Sequence, residues 1–443
     1  MNDLKSSSKN NSRILNHFFQ ENKLPIIITA IFFFSMFYVA FVHHTIWIEQ
    51  DGIFYYFHGN EFFDGNLHNV QIIGAPMGTP VIYAVLDNLF GMPFEAAKSL
   101  SLISGTVIVL ISYFITKNIF GAKVAIITQI IVAVNPKLHL LSISALNELM
   151  SIALIISSFY FLTKNELRNS DFVLMGILLG LSFMLRYQAI LLILGIVIFL
   201  LIRNRKIRYN ALKSGILILV FFTTASPILV FNYMTYENPM ENDTSFYLLA
   251  LFQFQNPEWR ESISEMREEG LISLILEDPY LFAQNYFYNL FSHNPSKLFN
   301  FGVLDNLSVF PPIPVLGFIT VVLGFLYAIK ISKDKTTWIA IAAFAITALL
   351  VFFIGDLHQH YFALVFIPLL ILGIFSLKKI QKNFLPLFIV SIVLIFSLAI
   401  IPAFRSYHFL LLLIPFSILN SIFIYEVLPK FVYRLKNLEK VRN

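Results

Sequence analysis

Four carboxylates, Glu49, Asp51, Glu61 and Asp64, crowd the stretch WIEQDGIFYYFHGNEFFDG at residues 47–65, which holds no lysine or arginine. A carboxylate acts as a general base when it sits within hydrogen-bond reach of an attacking hydroxyl. Asp51 is the candidate for that role. It precedes Gly52 and the aromatic run Phe54, Tyr55, Tyr56 and Phe57, so it stands near the N-terminus of a helix held at an interface. The competing reading is that loop acids are simply solvated, and Glu61 and Asp64 fit that description. Glu49 is a helper acid two residues before Asp51.

The cations are the second set. Arg186 lies in GLSFMLRYQAI, residues 180–190, between two apolar half-spans. A guanidinium there needs a partner. Three remain open: an anionic phosphate, an intramembrane acid, or the interface reached by snorkelling. Glu148, in SISALNELMSIALIISSFYFL at 142–162, is either that acid or a site residue in its own right. Lys137 and His139 make a basic point between two apolar runs, suited to a phosphate contact or a solvated turn. GDLHQHYF, residues 355–362, sets Asp356, His358 and His360 at a spacing open to zinc, with a plain polar loop as the simpler reading. The chain has no cysteine, which excludes disulfides, cysteine zinc sites and thiol chemistry.

The elements that carry these residues follow from composition. Apolar residues make up 57% of the 443 and charged ones 13%, so long apolar runs dominate. The chain is expected to be an all-α polytopic membrane protein forming a single unit over 1–443, with no separate soluble C-terminal domain. Nucleic acid is not an expected partner: the basic residues sit in short clusters between apolar runs. Expected spans are 24–42, 95–116, 122–135, 140–162, 172–186, 188–202, 213–232, 313–330, 337–354, 360–377, 384–400 and 408–428. Basic gaps alternate with gaps poor in lysine and arginine, which places both termini in the cytoplasm and the first span uncleaved. Thr79–Phe90 would break that alternation as a thirteenth crossing and is expected to be an interfacial or re-entrant helix. Two large outer loops result, about 43–94 and 233–312, the second with amphipathic segments at 257–273 and 278–292.

The order of these motifs resembles the GT-C superfamily of polyprenyl-phosphate-sugar glycosyltransferases, in particular its protein mannosyltransferase and aminoarabinose transferase branch. Asp51, Tyr55, Tyr56 and Gly65 stand where that branch has an acid, an aromatic pair and a glycine in its first outer loop. APMGTPVIYAVLDNLFG (75–91), KNIFGAK (117–123), Asn135-Pro136, Glu148, GLSFMLRYQAI and FNYMTYENPM (231–240) follow in family order. The resemblance covers about 30–240 closely and the remainder by layout. Two departures stand out. Gly52 replaces the second acid of the family's pair, and Ala75 stands where the aminoarabinose branch has a lysine.

The resemblance implies a GT-C-type bundle of about 12–13 transmembrane helices and an inverting transfer from a polyprenyl-phosphate sugar to a hydroxyl on a protein or glycan acceptor, outside the plasma membrane. Asp51 would be the base, Glu49 and Glu148 helper acids, and Arg186, Lys137, His360 and Tyr361 the contacts to donor phosphate. Tyr55 and Tyr56 would touch sugar or acceptor. No cofactor is required. A divalent ion on Glu49 and Asp51 is the alternative, favoured only by the oligosaccharyltransferase branch, which lacks support here because no Trp-Trp-Asp motif is present. The competing functions are a transporter or lipid flippase, a membrane polymerase or ligase of polysaccharide, and a non-catalytic GT-C scaffold.

Overall fold

Among the described residues, three helices are long and apolar enough to cross a bilayer: Lys23–Val42, Pro93–Asn118 and Ala211–Met234. At about 1.5 Å per residue, helices of twenty or more residues span the roughly 30 Å hydrocarbon layer. The computed structural model describes residues 20–43, 50–66, 76–164, 166–186, 207–237 and 278–288, with isolated positions between and beyond them. Every regular element among the described residues is helical. The expected spans 313–330, 337–354, 360–377 and 384–400, most of 188–202 and 408–428, and the segment 257–273 lie outside the described residues.

In chain order the helices are α1 (Lys23–Phe37), prolonged by a π-turn at Tyr38–Val42, α2 (Gln50–Phe63), α3 (Gly78–Phe90), α4 (Pro93–Phe120), α5 (Ala122–Ala133), α6 (Pro136–Ser142), α7 (Glu148–Leu162), α8 (Asn169–Leu185), α9 (Ile207–Tyr236) and α10 (Pro279–Tyr288). Proline at the first position of α4 and α6 starts each helix at a residue whose missing N–H would have been unsatisfied anyway. Gly91, at φ +61°, ends α3 in the left-handed conformation and turns the chain directly into α4.

Packing radiates from α4, which touches α1, α3, α5, α6 and α7, while α8 lies between α7 and α9. The close fit of α8 on α9 comes from Gly176 and Gly180, four residues apart on one face. A Cβ on Gly176 would lie 2.8 Å from Val220 Cβ, and one on Gly180 2.5 Å from Thr224 Cβ. Small residues at this spacing let helix backbones approach in lipid, where van der Waals packing replaces the hydrophobic effect as the driving force. Lys164 pairs with Asp171 at 2.8 Å, and the same carboxylate accepts from the Arg168 amide at 2.8 Å, which fixes the start of α8 at one end of the bundle.

The expected single span 140–162 is corrected by the structure into α6, an irregular turn at 143–147 and α7. The cause is the polar content of SISALN. Ser142 Oγ donates to the Leu138 carbonyl at 2.7 Å and Ser144 Oγ to the Leu140 carbonyl at 2.8 Å. Such short polar side chains compete with the helical ladder. Irregular backbone survives in a membrane only when buried in protein, and residues 141–150 are all buried.

Candidate active site

The break between α6 and α7 frees carbonyl oxygens, and neighbouring helices supply their donors. The Tyr83 hydroxyl of α3 donates to the Ala145 carbonyl. Ser101 Oγ of α4 donates to the Leu146 carbonyl at 2.9 Å. Tyr83 is wholly buried, and its ring meets Tyr55 of α2 edge-on with centroids 6.0 Å apart. Tyr55, Tyr83, Ala97 and Ala145 form one buried cluster, flanked by Tyr56 and Phe94. The three helices α2, α3 and α4 are thereby seated on the irregular turn.

The backbones in this region approach closely because glycines permit it. A Cβ on Gly52 would lie 2.7 Å from the Ala145 carbonyl oxygen, and one on Gly78 would lie 2.1 Å from that of Met184. The start of α2 therefore rests on Ala145, two residues before Asn147, and the start of α3 rests on the last turn of α8. Asp51 lies in the first turn of α2, adjacent to Gly52. The glycine that replaces the family's second acid has a packing reason: no side chain fits at position 52.

Four polar residues, Thr79, Asn147, Glu148 and Arg186, meet where α3, α7 and α8 converge. Arg186 leaves α8 in an extended conformation, φ −153° and ψ 122°, just beyond the final residue Leu185. Its guanidinium forms an ion pair with the Glu148 carboxylate at the first position of α7. Nε and Nη2 also donate to Asn147 Oδ1 at 3.2 and 3.0 Å. Asn147 Nδ2 in turn donates to Thr79 Oγ1 at 2.7 Å and to the Leu185 carbonyl at 3.1 Å. Glu148 is 2% exposed, so the pair is desolvated. One turn along, the Ser151 and Ser182 hydroxyls lie 2.8 Å apart and tie α7 to α8 beneath the cluster.

The sequence-predicted residues separate clearly. Arg186 and Glu148 are brought together, and of the three partners open to Arg186 the structure selects the intramembrane acid. Tyr55 packs inside the core cluster, while Tyr56 is half-buried with its ring 5.6 Å from that of Phe94. Lys137 lies in α6, whose cap is the Asn135 side chain accepting from the Leu138 amide at 3.1 Å. His139 of the same helix is tied inward: its Nε2 lies 2.5 Å from the Ala133 carbonyl and its ring packs on Phe32. Glu49, Asp356, His358, His360 and Tyr361 lie outside the described residues. Among the described residues no three His, Asp or Glu side chains gather as metal ligands.

Asn147, Thr79 and Tyr83 are the residues that sequence reasoning missed. The signal for Asn147 was available. An Asn-Glu pair inside an apolar run marks a place where the helix is interrupted and the polar groups face protein. Tyr83 carried no such signal, because one tyrosine in an apolar helix reads as core.

Residues 75–231 match the family model described as dolichyl-phosphate-mannose-protein mannosyltransferase. No curated protein matches the chain. Among solved structures, ArnT from Cupriavidus metallidurans bound to undecaprenyl phosphate aligns with a TM-score of 0.39 at 12% identity, covering 92% of this chain and 78% of that one. The archaeal oligosaccharyltransferase AglB from Archaeoglobus fulgidus, in complex with an inhibitory peptide and a dolichol-phosphate, aligns with a TM-score of 0.42 at 12% identity, covering 96% of this chain and 52% of AglB. The chain thus spans about half the length of AglB. The family match bears out the resemblance read from the sequence. The matched segment takes in α3 to α8 and the Arg186–Glu148 pair.

Proposed function

We propose that the protein is an inverting glycosyltransferase that moves a sugar from a polyprenyl-phosphate donor to an acceptor hydroxyl at the outer face of the plasma membrane, with both termini cytoplasmic. The acceptor oxygen attacks the anomeric carbon, the bond from that carbon to the phosphate oxygen breaks, and polyprenyl phosphate departs with the electron pair. Asp51 takes the acceptor proton. Phosphate leaves readily, so the chain supplies position and positive potential rather than a general acid. Arg186 and Glu148 form a wall of the cleft, with Asn147 orienting the guanidinium. Tyr56 is the aromatic contact for sugar or acceptor, and Lys137, His360 and Tyr361 are further donor contacts.

The observation that carries this reading is the seating of α2. Gly52 lies against Ala145 at a distance no side chain tolerates. That contact sets the first turn of α2, with Asp51, within a few residues of the buried Arg186–Glu148–Asn147 cluster. A flippase or transporter needs charges along the middle of its spans. The charged pair here sits instead where helices start and end.

The test is twofold. Mass spectrometry of lipid that co-purifies with the full chain in mild detergent should find a polyprenyl phosphate or its glycosylated form. Asp51→Asn should retain the bound lipid and the melting temperature while losing transfer by about a hundredfold or more, the contribution typical of a positioned base. Full activity in Asp51→Asn would remove Asp51 as the base. An unrelated lipid or solute in the wild-type protein would remove the donor.

A further inference from the structure

The helix that carries Asp51 is pinned in rotation as well as in position. Gly52 meets the Ala145 carbonyl oxygen, and Gly59 meets that of Pro80, where a Cβ would lie 2.2 Å away. Residues seven apart share one face of a helix, so these two contacts fix which side of α2 looks inward. With Asp51 as the origin and about 100° per residue, the buried Gly52, Tyr55 and Gly59 lie about 40–100° round on one side. Phe54 and His58 lie about 60° and about 20° round on the other. Ile53 and Phe57, both exposed, point further out, about 120–160° from Asp51. α2 thus has a packed face, an outward apolar face suited to lipid, and between them an edge holding Asp51, Phe54 and His58.

That edge has the chemistry of a carbohydrate platform. Phe54 is 41% exposed, and the half-buried His58 ring meets it edge-on with centroids 4.0 Å apart, which holds both rings in place. The C–H face of a pyranose packs against an aromatic ring, whose own face carries negative charge density. The sugar hydroxyls then need polar partners close by. An imidazole offers both a donor and an acceptor, and a carboxylate such as Glu61, about 80° round on the same side of α2, accepts only. A histidine and two acids are poorly placed against hydrocarbon, so this edge belongs on the watered side of the helix. Residues 47–65 hold no lysine or arginine, so the stretch supplies no cation to an anionic acceptor. An extended peptide is gripped through its backbone by a sheet edge, and a helix, whose own ladder uses its N–H and C=O groups, offers none. Phe54 and His58 stand about 4.5 Å and about 10.5 Å along the axis from Asp51, lengths that one and two linked pyranose units cover.

We infer that the acceptor is a neutral glycan, and that Phe54 and His58 bind the sugar units next to the hydroxyl that Asp51 deprotonates. The inference rests on the transferase reading proposed above. Tyr56, about 140° round α2 from Asp51 and beside Phe94, is then left to the sugar of the donor.

The full chain in nanodiscs is offered neutral oligosaccharides of glucose, mannose and N-acetylglucosamine, a serine- and threonine-rich peptide, and a polyglycerol phosphate. Saturation-transfer NMR detects what binds, beside melting temperatures. The expected result is binding of at least one neutral oligosaccharide, with saturation concentrated on its ring C–H protons. Phe54→Ala should weaken that binding about two- to tenfold, the loss of one aromatic contact, while Phe54→Trp keeps it. His58→Ala should weaken it by a similar factor, and His58→Gln, which keeps a donor and an acceptor, should restore part of the loss. Phe54 is exposed, so its variants should melt with the wild type. Binding of the peptide or the anionic polymer alone, binding of no probe, or equal glycan binding by the wild type and Phe54→Ala overturns the glycan assignment, and leaves the transferase reading standing where polyprenyl phosphate co-purifies. Absence of that lipid from the wild type overturns the transferase reading and the acceptor assignment with it.

Discussion

The Arg186–Glu148 pair gives a prediction that separates scaffold from chemistry. Glu148 is 2% exposed, and Arg186 is held by both Glu148 and Asn147. Removing one partner of such a buried pair leaves the other charge uncompensated and costs about 3–5 kcal/mol. Arg186→Met and Glu148→Met should each destabilise the protein by about that amount. Replacing both with apolar groups of similar volume removes both charges at once, and the net effect of such swaps lies near neutral. The coupling energy should then reach about 6–10 kcal/mol, above the usual range of about 0.5–3 kcal/mol for contacting residues. Dodecyl sulfate titration in mixed micelles, followed by the helical circular dichroism signal, measures all three variants. Strict additivity would refute a direct buried pair. Transfer activity gives the second reading. If the pair lines the proposed donor site, the double variant should recover stability without recovering transfer. A stable double variant that transfers sugar normally would make the pair a purely structural device and refute its place in the site.

Two further substitutions probe the seating of the helices. Gly52→Ala places a methyl group 2.7 Å from the Ala145 carbonyl oxygen, so α2 must move by about half an ångström, at a cost of about 1–3 kcal/mol. Transfer should fall about tenfold or more, since a displacement near 1 Å at a reacting group costs about a hundredfold; unchanged transfer in a sugar-release assay counts against the contact. Tyr83→Phe removes the donor to the Ala145 carbonyl and should lower stability by about 1 kcal/mol, with the aromatic packing on Tyr55 and Phe94 retained; no change in the unfolding midpoint argues that water satisfies that carbonyl.

How much of this was legible in the sequence depends on the scale of the signal. The membrane class and the helices at 24–42, 95–116 and 213–232 follow from long apolar runs, which any bilayer-spanning helix requires. The helix at 79–90 was legible from the prolines and glycines that bound it, and the structure places it at Gly78–Phe90. The division of 140–162 was not recovered, since hydropathy averages over the two serines and one asparagine at the interruption. The pairing of Arg186 with Glu148 was one of three open readings, and the choice depends on the crossing of α7 and α8 rather than on composition.

Position 52 shows how a departure from a motif changes meaning once packing is known. In sequence, Gly52 reads as an absent carboxylate and so as a sign of a lost activity. In the folded chain the same glycine is what lets α2 sit on the Ala145 carbonyl. A glutamate there would have to displace α2, and with it Asp51, from the turn that carries Asn147 and Glu148. The absent acid therefore says little about whether the site is active. What it changes is the division of labour: Asp51 is the acid in the first turn of α2, and Glu148 is the described carboxylate across the turn on which that helix is seated. Gly52→Glu separates these ideas, since it supplies the family's acid pair in sequence while breaking the contact that seats the helix. If the seating governs the site, that substitution should lower transfer at least as far as Gly52→Ala does, whereas a gain in transfer would show that the missing acid was the limiting feature all along.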